Sequence, residues 1–283
     1  MPTPSECGSN CGVSSTEVFA IAEERDVAAA RDLACETLYR CLAAALSNPD
    51  SAAWLIADDE SNLIAARLAM DYLREQFEDV EIPLGFGESA WERLDVRPLF
   101  GAWPVDAASA MAEYARVFGF AGSRECSPYE TEYHPNEEVF FRSQQMADVA
   151  GFYRAFGLNV SPERHDRVDH ITLELEFAAF LLMKKRLADR AAGECDGAAT
   201  VVQEARKSFL KDHLSWWAPS FSIALRRKAS GGFYAAAADV LSALLPLERH
   251  RLGVAPPLMP LEARTDDASD AASGCEGCAL ARD

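Results

Sequence analysis

The sequence predicts an all-α helical bundle, and three observations carry that expectation. Apolar residues recur at helical spacing through long stretches of the chain. Sustained apolar/polar alternation between turn dipeptides is almost absent. Proline- and glycine-bearing stretches punctuate the periodic segments. With 283 residues, 49% of them hydrophobic, the chain is long enough to bury a sizeable core, as one large domain or as two tightly packed halves.

Taken in order, Ser15 or Thr16 is placed to cap a helix that starts near Glu17 and runs to Leu46. Ala28, Leu33, Leu38, Cys41, Leu42 and Leu46 are spaced to share one face. Ser47-Asn48-Pro49-Asp50 ends it, because proline cannot continue a helix. A second helix is predicted over 52–77, with Trp54, Leu55, Leu63, Ala66, Leu68 and Leu73 inward. Residues 78–105 read as loop, on Pro83, Gly85, Gly87 and Pro104, with one short helix near 90–94. A helix over 106–118 follows, then a long loop over 119–137 that is dense in polar aromatics. Helices resume over 138–157, which Gly157 is placed to terminate, and over 166–191 and 198–217. One or two more cover 220–247, broken near Gly231-Gly232. Past Pro246 the Pro/Ala/Asp-rich composition predicts loss of order. No internal repeat is visible.

The formal charge of −18, from 45 acidic and 27 basic residues, disfavours a nucleic-acid partner. Such a surface attracts a basic peptide or protein, although solubility alone is an equally good reason for it. The first fifteen residues lack the basic and apolar regions of a secretory signal, and no apolar run is long enough for a membrane span, so a cytoplasmic location is expected. Of eight cysteines, Cys35 and Cys41 fall in a helical pattern and Cys126 and Cys195 in loops. The rest form two pairs, Cys7/Cys11 and Cys275/Cys278. If the termini meet, those four thiolates suit a tetrahedral zinc or an iron–sulfur cluster; solvated or redox-active thiols are the alternative. Phosphate-cradling loops, a nucleophile elbow and a zinc-protease helix motif are all missing from the sequence, so catalysis is not expected.

One central block is distinctive: Ser127-Pro128-Tyr129-Glu130-Thr131-Glu132-Tyr133, then Met146-Ala147-Asp148 running to Gly157-Leu158, then Glu163-Arg164-His165-Asp166-Arg167-Val168-Asp169-His170 leading to Glu174 and Phe177. Further on, Phe209-Leu210-Lys211-Asp212-His213-Leu214, Trp216-Trp217-Ala218-Pro219 and Gly232-Phe233-Tyr234 continue it. These stretches resemble the TorD/DmsD/NarJ family of redox-enzyme maturation chaperones, over roughly residues 25–250. Val168 departs from the family, whose best-known members carry proline before the Asp-His pair.

The resemblance implies a single all-α domain of the TorD-like type over 16–250. It would lie between a flexible arm (1–15) and a flexible acidic tail (251–283) that carry the cysteines. It also implies a function. The family grips the N-terminal region, often a twin-arginine export signal, of a molybdopterin-dependent oxidoreductase catalytic subunit. It holds that client in the cytoplasm until the cofactor is inserted. No cofactor of its own is required, and a monomer or an element-swapped dimer is compatible. A metal or iron–sulfur carrier using the terminal cysteine pairs is the alternative function.

Candidate client-binding residues follow from chemistry. Asp169 suits the guanidinium fork of a client arginine, and His170 a client backbone group; equally, Asp169 caps the helix it precedes. Glu174 lies one turn beyond His170. It and Glu176, in so apolar a run, require partners: an arginine from another helix or an acidic groove. Tyr129, Glu130, Glu132 and Tyr133 combine aromatic bodies with polar tips, as a peptide-binding rim or as lids on the core. Met146 and Tyr153, with Phe152 and Phe156, are spaced as a core face that also suits the floor of a groove.

Overall fold

The punctuation read from the sequence sets most helix boundaries. The computed structural model describes residues 15–57, 59–119, 125–135, 139–161, 166–191 and 197–263. Among these residues all regular structure is helical, apart from one isolated antiparallel bridge between Tyr129 and His170.

Helix α1 (Ser15–Leu46) stops where Ser47 Oγ donates to the Ala44 carbonyl (2.7 Å) and Asn48 Oδ1 accepts from Asp50 N (2.9 Å). The single helix expected over 52–77 is two, α2 (Ala52–Ala57) and α3 (Glu60–Gln76). Asp59 turns the backbone extended and caps α3 through Ser61 N (2.8 Å). Within 78–105 lie a 3-10 turn at Trp91–Arg93 and a short helix α4 (Arg97–Gly101), the latter not anticipated. Asp106 caps α5 (Ala107–Phe118) through Ser109 N (2.7 Å).

Helix α6 (Val139–Ala155) closes as its glycine predicts. Gly157 has φ +75°, its N–H reaches Arg154 O (2.9 Å), and Leu158 N reaches Tyr153 O (2.9 Å). Helix α7 (Ile171–Ala191) begins five residues later than the predicted 166. Helix α8 (Ala198–Phe209) passes through a π-turn (Leu210–Leu214) directly into α9 (Ser215–Ala229). The break expected near 218–219 is therefore absent. Pro219 sits early in α9, just past the wide turn, where the hydrogen-bond ladder is already relaxed and loss of one donor costs least. Helix α10 (Gly232–Leu252) follows a left-handed Ser230 (φ 58°).

Helix α1 packs along α7 and α3, α7 on α8, and α9 on α10. Leu38, Tyr39, Leu42, Met70, Leu73, Phe209 and Trp217 are fully buried. Leu33 and Leu68, expected inward, face solvent instead. Helix α10 is apolar nearly all round and is buried accordingly, charges included. Its Glu248 pairs with Arg206 (3.1 Å) and Arg251, both of which also bind Asp32. Its Arg249 pairs with Glu88 (2.8 Å) and binds Pro83 O and Val254 O. Buried charges persist because each is matched.

The C-terminal boundary needs correcting. Helix α10 runs through Pro246 to Leu252 and is closed at Gly253 (φ 62°) by the same double hydrogen bond that ends α6. Residues 254–263, assigned to the tail, lie back on the bundle. Val254 is buried, Pro257 O accepts from Phe86 N (2.7 Å), and Leu261 N donates to Ser220 Oγ (3.1 Å). Residues 1–14 and 264–283 lie outside the described residues. No helix among the described residues is long and apolar enough to cross a membrane.

Candidate functional site

The Ser-Pro-Tyr-Glu-Thr-Glu-Tyr loop is clipped to the start of α7. Ile171 N donates to Pro128 O (2.8 Å) and Glu130 N to Asp169 O (3.0 Å), which makes the Tyr129–His170 bridge; residues 130–133 then form one 3-10 turn. That clip delays α7, because residues 166–170 serve the loop instead of the helix. Most of the motif residues are thereby brought to one place, on two levels.

The lower level is buried. Glu130 (0% exposed) accepts from Trp216 Nε1 (2.8 Å) and Gln145 Nε2 (3.2 Å), and His213 Nδ1 stands 3.1 Å from it. His213 Nε2 stands 3.5 Å from Asp148 at the surface. Glu174 (0% exposed) accepts from Trp217 Nε1 (3.0 Å) through Oε2. Burial pushes the Glu174 carboxyl well above the usual carboxylate range, and the neighbouring Glu130 carboxylate raises it further, against the Trp217 hydrogen bond. The arginine partner considered for Glu174 is thus replaced by an indole N–H and a second carboxyl group. Tyr133 and Tyr153 are buried as well. Their hydroxyls donate to Ser127 O (3.1 Å) and Val168 O (3.0 Å), tying the loop and α6 to the entrance of α7.

Asp169 also belongs to this level, with 0% exposure. Its carboxylate accepts from Thr131 N (3.1 Å) and Thr131 Oγ1 (2.8 Å), and from Arg167 Nε (3.0 Å) and Nη2 (2.7 Å). The guanidinium fork that suits Asp169 is therefore supplied by the chain's own Arg167. Neither does Asp169 cap α7. That place falls to His170, whose Nδ1 accepts from Thr172 N (3.3 Å) and lies 2.7 Å from Thr172 Oγ1.

The upper level is a half-exposed rim. Arg167 lies over the Tyr129 ring (4.3 Å), binds Glu132 (3.0 Å), and shares Glu132 with Arg142 (3.5 Å). The Tyr129 ring meets the edge of His170 (5.1 Å). His134, Phe141 and Trp216 form an aromatic group beside it. Met146 is half-buried on α6. Beneath α6, Phe152, Tyr153 and Phe156 pack edge-on against Phe177 and Phe209, as a core face does.

Among the described residues no group of His, Cys, Asp and Glu is arranged to hold a metal. Cys7, Cys11, Cys275 and Cys278 all lie outside the described residues, as do Glu163, Arg164 and His165 of the motif.

Comparison with known proteins bears on the same block. The family model described as "Nitrate reductase delta subunit" matches residues 91–222. The selenate reductase assembly chaperone protein of Thauera selenatis is 31% identical over 169 residues, which cover 58% of this chain and 80% of that protein. The chain belongs to the TorD/DmsD/NarJ family of redox-enzyme maturation chaperones. The chlorate reductase assembly chaperone protein of Ideonella dechloratans is 30% identical over 172 residues, 59% of this chain and 82% of that protein. A chaperone protein TorD of Vibrio cholerae is 26% identical over 110 residues, 39% of this chain and 46% of its own length.

In this family member, several residues of the site were not picked out from the sequence: Thr131, Gln145, Arg167, His213, Trp216 and Trp217. A signal for two of them was present. A buried Trp N–H needs an acceptor and a buried Glu needs a donor, so the adjacent Trp216 and Trp217 on an apolar helix are natural partners for Glu130 and Glu174.

Proposed function

We propose that this chain is a system-specific chaperone that acts in the cytoplasm. It binds the apo catalytic subunit of a molybdopterin-dependent oxidoreductase through that subunit's N-terminal, twin-arginine signal region, and holds it until the cofactor is inserted. The observation that carries this reading is alignment with assembly chaperones of selenate and chlorate reductases over four fifths of their length. The rim supports it physically. The Tyr129 ring and the Glu132 carboxylate already hold the guanidinium of Arg167, a geometry that a client arginine would take over by displacing it, on a chain of net charge −18 and next to α6, which carries the half-buried Met146. The buried tier of Glu130, Tyr133, Tyr153, Asp169, His170 and Glu174 would serve the client indirectly, by fixing the rim.

The test is co-purification with a molybdoenzyme catalytic subunit made without molybdopterin, with and without its N-terminal region. Capture of the apo subunit that fails once that region is removed is the expected result. Equal capture of both forms would place the contact elsewhere on the client, and capture of neither would remove the chaperone reading.

A further inference from the structure

We propose that the groove between α9 and the 83–87 loop is a binding surface for a partner peptide, and that residues 255–263 hold it closed in cis. The segment is seated as a peptide ligand would be. It has no helix or strand of its own, it follows a completed helix cap at Gly253, and it docks by main-chain groups: the Pro257 carbonyl accepts from Phe86 N (2.7 Å) and, four residues on, Leu261 N donates to Ser220 Oγ (3.1 Å). Leu261 and Ala263 are half-buried against the core, while Leu258 and Met259 between them are 84% and 72% exposed. Past Val254, the segment is thus fastened at its two ends and bare in the middle.

The receiving surface is shaped for a backbone. A Cβ on Gly85 would stand 2.6 Å from the Pro257 carbonyl oxygen, so only glycine permits this approach. Beyond Pro260 the groove stays open, with about 1200 Å³ of space including its mouth, between Leu261 on one side and Ile223, Ala224, Arg227 and Tyr133 on the other. Arg227 is exposed there and has no ion-pair partner among the described residues, while Lys228 on the same wall is held by Glu125. Leu84 and Phe86 are exposed on the loop that Pro257 meets, as are Leu258 and Met259 on the segment itself.

The surface therefore fits a partner chain with the chemistry of the segment it now holds. That chemistry is an irregular run containing proline and an apolar side chain at the Leu261 position, followed by an acidic residue placed to reach the Arg227 guanidinium, which Glu262 leaves unpaired here. This surface shares Tyr133 with the buried tier beneath the Tyr129–Glu132 rim, but its argument does not depend on the function proposed above.

The experiment is fluorescence anisotropy on the full-length chain, with a labelled synthetic peptide of residues 254–263 as probe. A cis occupant lowers apparent affinity in proportion to the fraction of time the groove is open, so Leu261→Ser in the protein should tighten peptide binding by ~10-fold or more. The same change in the peptide should abolish binding. Equal affinity of wild type and variant, or no binding to a variant with native circular dichroism, would overturn the proposal. If Leu261→Ser fails to fold, the milder Leu261→Ala loosens the segment while leaving the groove itself unaltered, and the same tightening is expected of it. In the unaltered protein, the Phe86 and Leu261 amides should exchange hydrogen together and well before those of α10; exchange only on global unfolding would contradict a displaceable segment. A concentration-dependent wild-type dimer dispersed by the free peptide would assign the groove to a second copy and overturn the partner assignment.

Discussion

Replacing Asp169 by alanine removes the acceptor of hydrogen bonds from Thr131 N, Thr131 Oγ1, Arg167 Nε and Arg167 Nη2. Arg167 is about one-third exposed and regains water when released, so part of its loss is offset. The two Thr131 donors are buried and regain nothing. Each donor to a charged acceptor contributes about 1.5–3 kcal/mol, and breaking a buried pair costs about 3–5 kcal/mol; the terms are not additive, so Asp169→Ala should cost about 3–4 kcal/mol. Asp169→Asn keeps one carbonyl acceptor and should cost about half as much. Arg167→Met leaves the Thr131 donors satisfied but strips the buried Asp169 carboxylate of its counter-charge, so it should cost at least as much as Asp169→Asn. Urea unfolding at neutral pH, followed by circular dichroism with the slope compared across variants, measures all three. An Asp169→Ala chain within about 1 kcal/mol of wild type would refute the buried-anchor assignment. It follows that loss of client capture on changing Asp169 reports the frame of the site as much as any contact with the client.

Three further outcomes are expected. The folded-state pKa of Glu174 lies above its unfolded value, so the folded chain holds a proton that the unfolded chain releases. The stability this confers is complete below about pH 4.5 and is lost as pH rises toward the folded pKa, at up to ~1.4 kcal/mol per pH unit. Glu174→Gln should match wild type near pH 4.5 and exceed it increasingly at higher pH in parallel urea titrations, and an unchanged pH profile would count against the shifted carboxyl. Gly157→Ala meets no atom within 4 Å yet must hold φ +75°, so it should cost about 1–2 kcal/mol, whereas Gly101→Ala, in α4 with equally open space, should cost nothing. The four-thiolate reading of Cys7, Cys11, Cys275 and Cys278 predicts near-stoichiometric zinc or iron on anaerobically purified protein, lost with Cys275→Ser. Metal-free protein would return them to ordinary thiols.

Helix ends were legible wherever one residue's backbone decides them. Gly157 takes the left-handed conformation, Asp106 caps α5, and Pro49 follows the end of α1. They were misread where two effects compete. Pro219 is accommodated by the preceding π-turn, and Asp59 starts a new helix inside an apparently continuous periodic run. The family, and the block that builds the site, were legible because the aromatic and acidic residues lie close together in sequence. Which of them face solvent was not, because that depends on partners distant in the chain. Glu130 finds Trp216 and His213 more than eighty residues on, and Glu174 finds Trp217 forty-three residues on. Nor does sequence spacing reveal that residues 254–263 return to the bundle, since that rests on a backbone approach at Gly85.

The account's central claim, a client-specific chaperone whose contact surface is the rim over the buried Glu130–Asp169 tier, is tested most directly by affinity capture from native cytoplasm with mass spectrometry. The comparison is wild type against Glu132→Gln/Met146→Ala, which alters the half-exposed rim and leaves Asp169 and Thr131 in place. The account predicts that wild type recovers one molybdopterin-dependent catalytic subunit and that the rim variant, equally stable to urea, recovers markedly less of it. Undiminished recovery by the variant, or recovery of no such subunit by wild type, would contradict it.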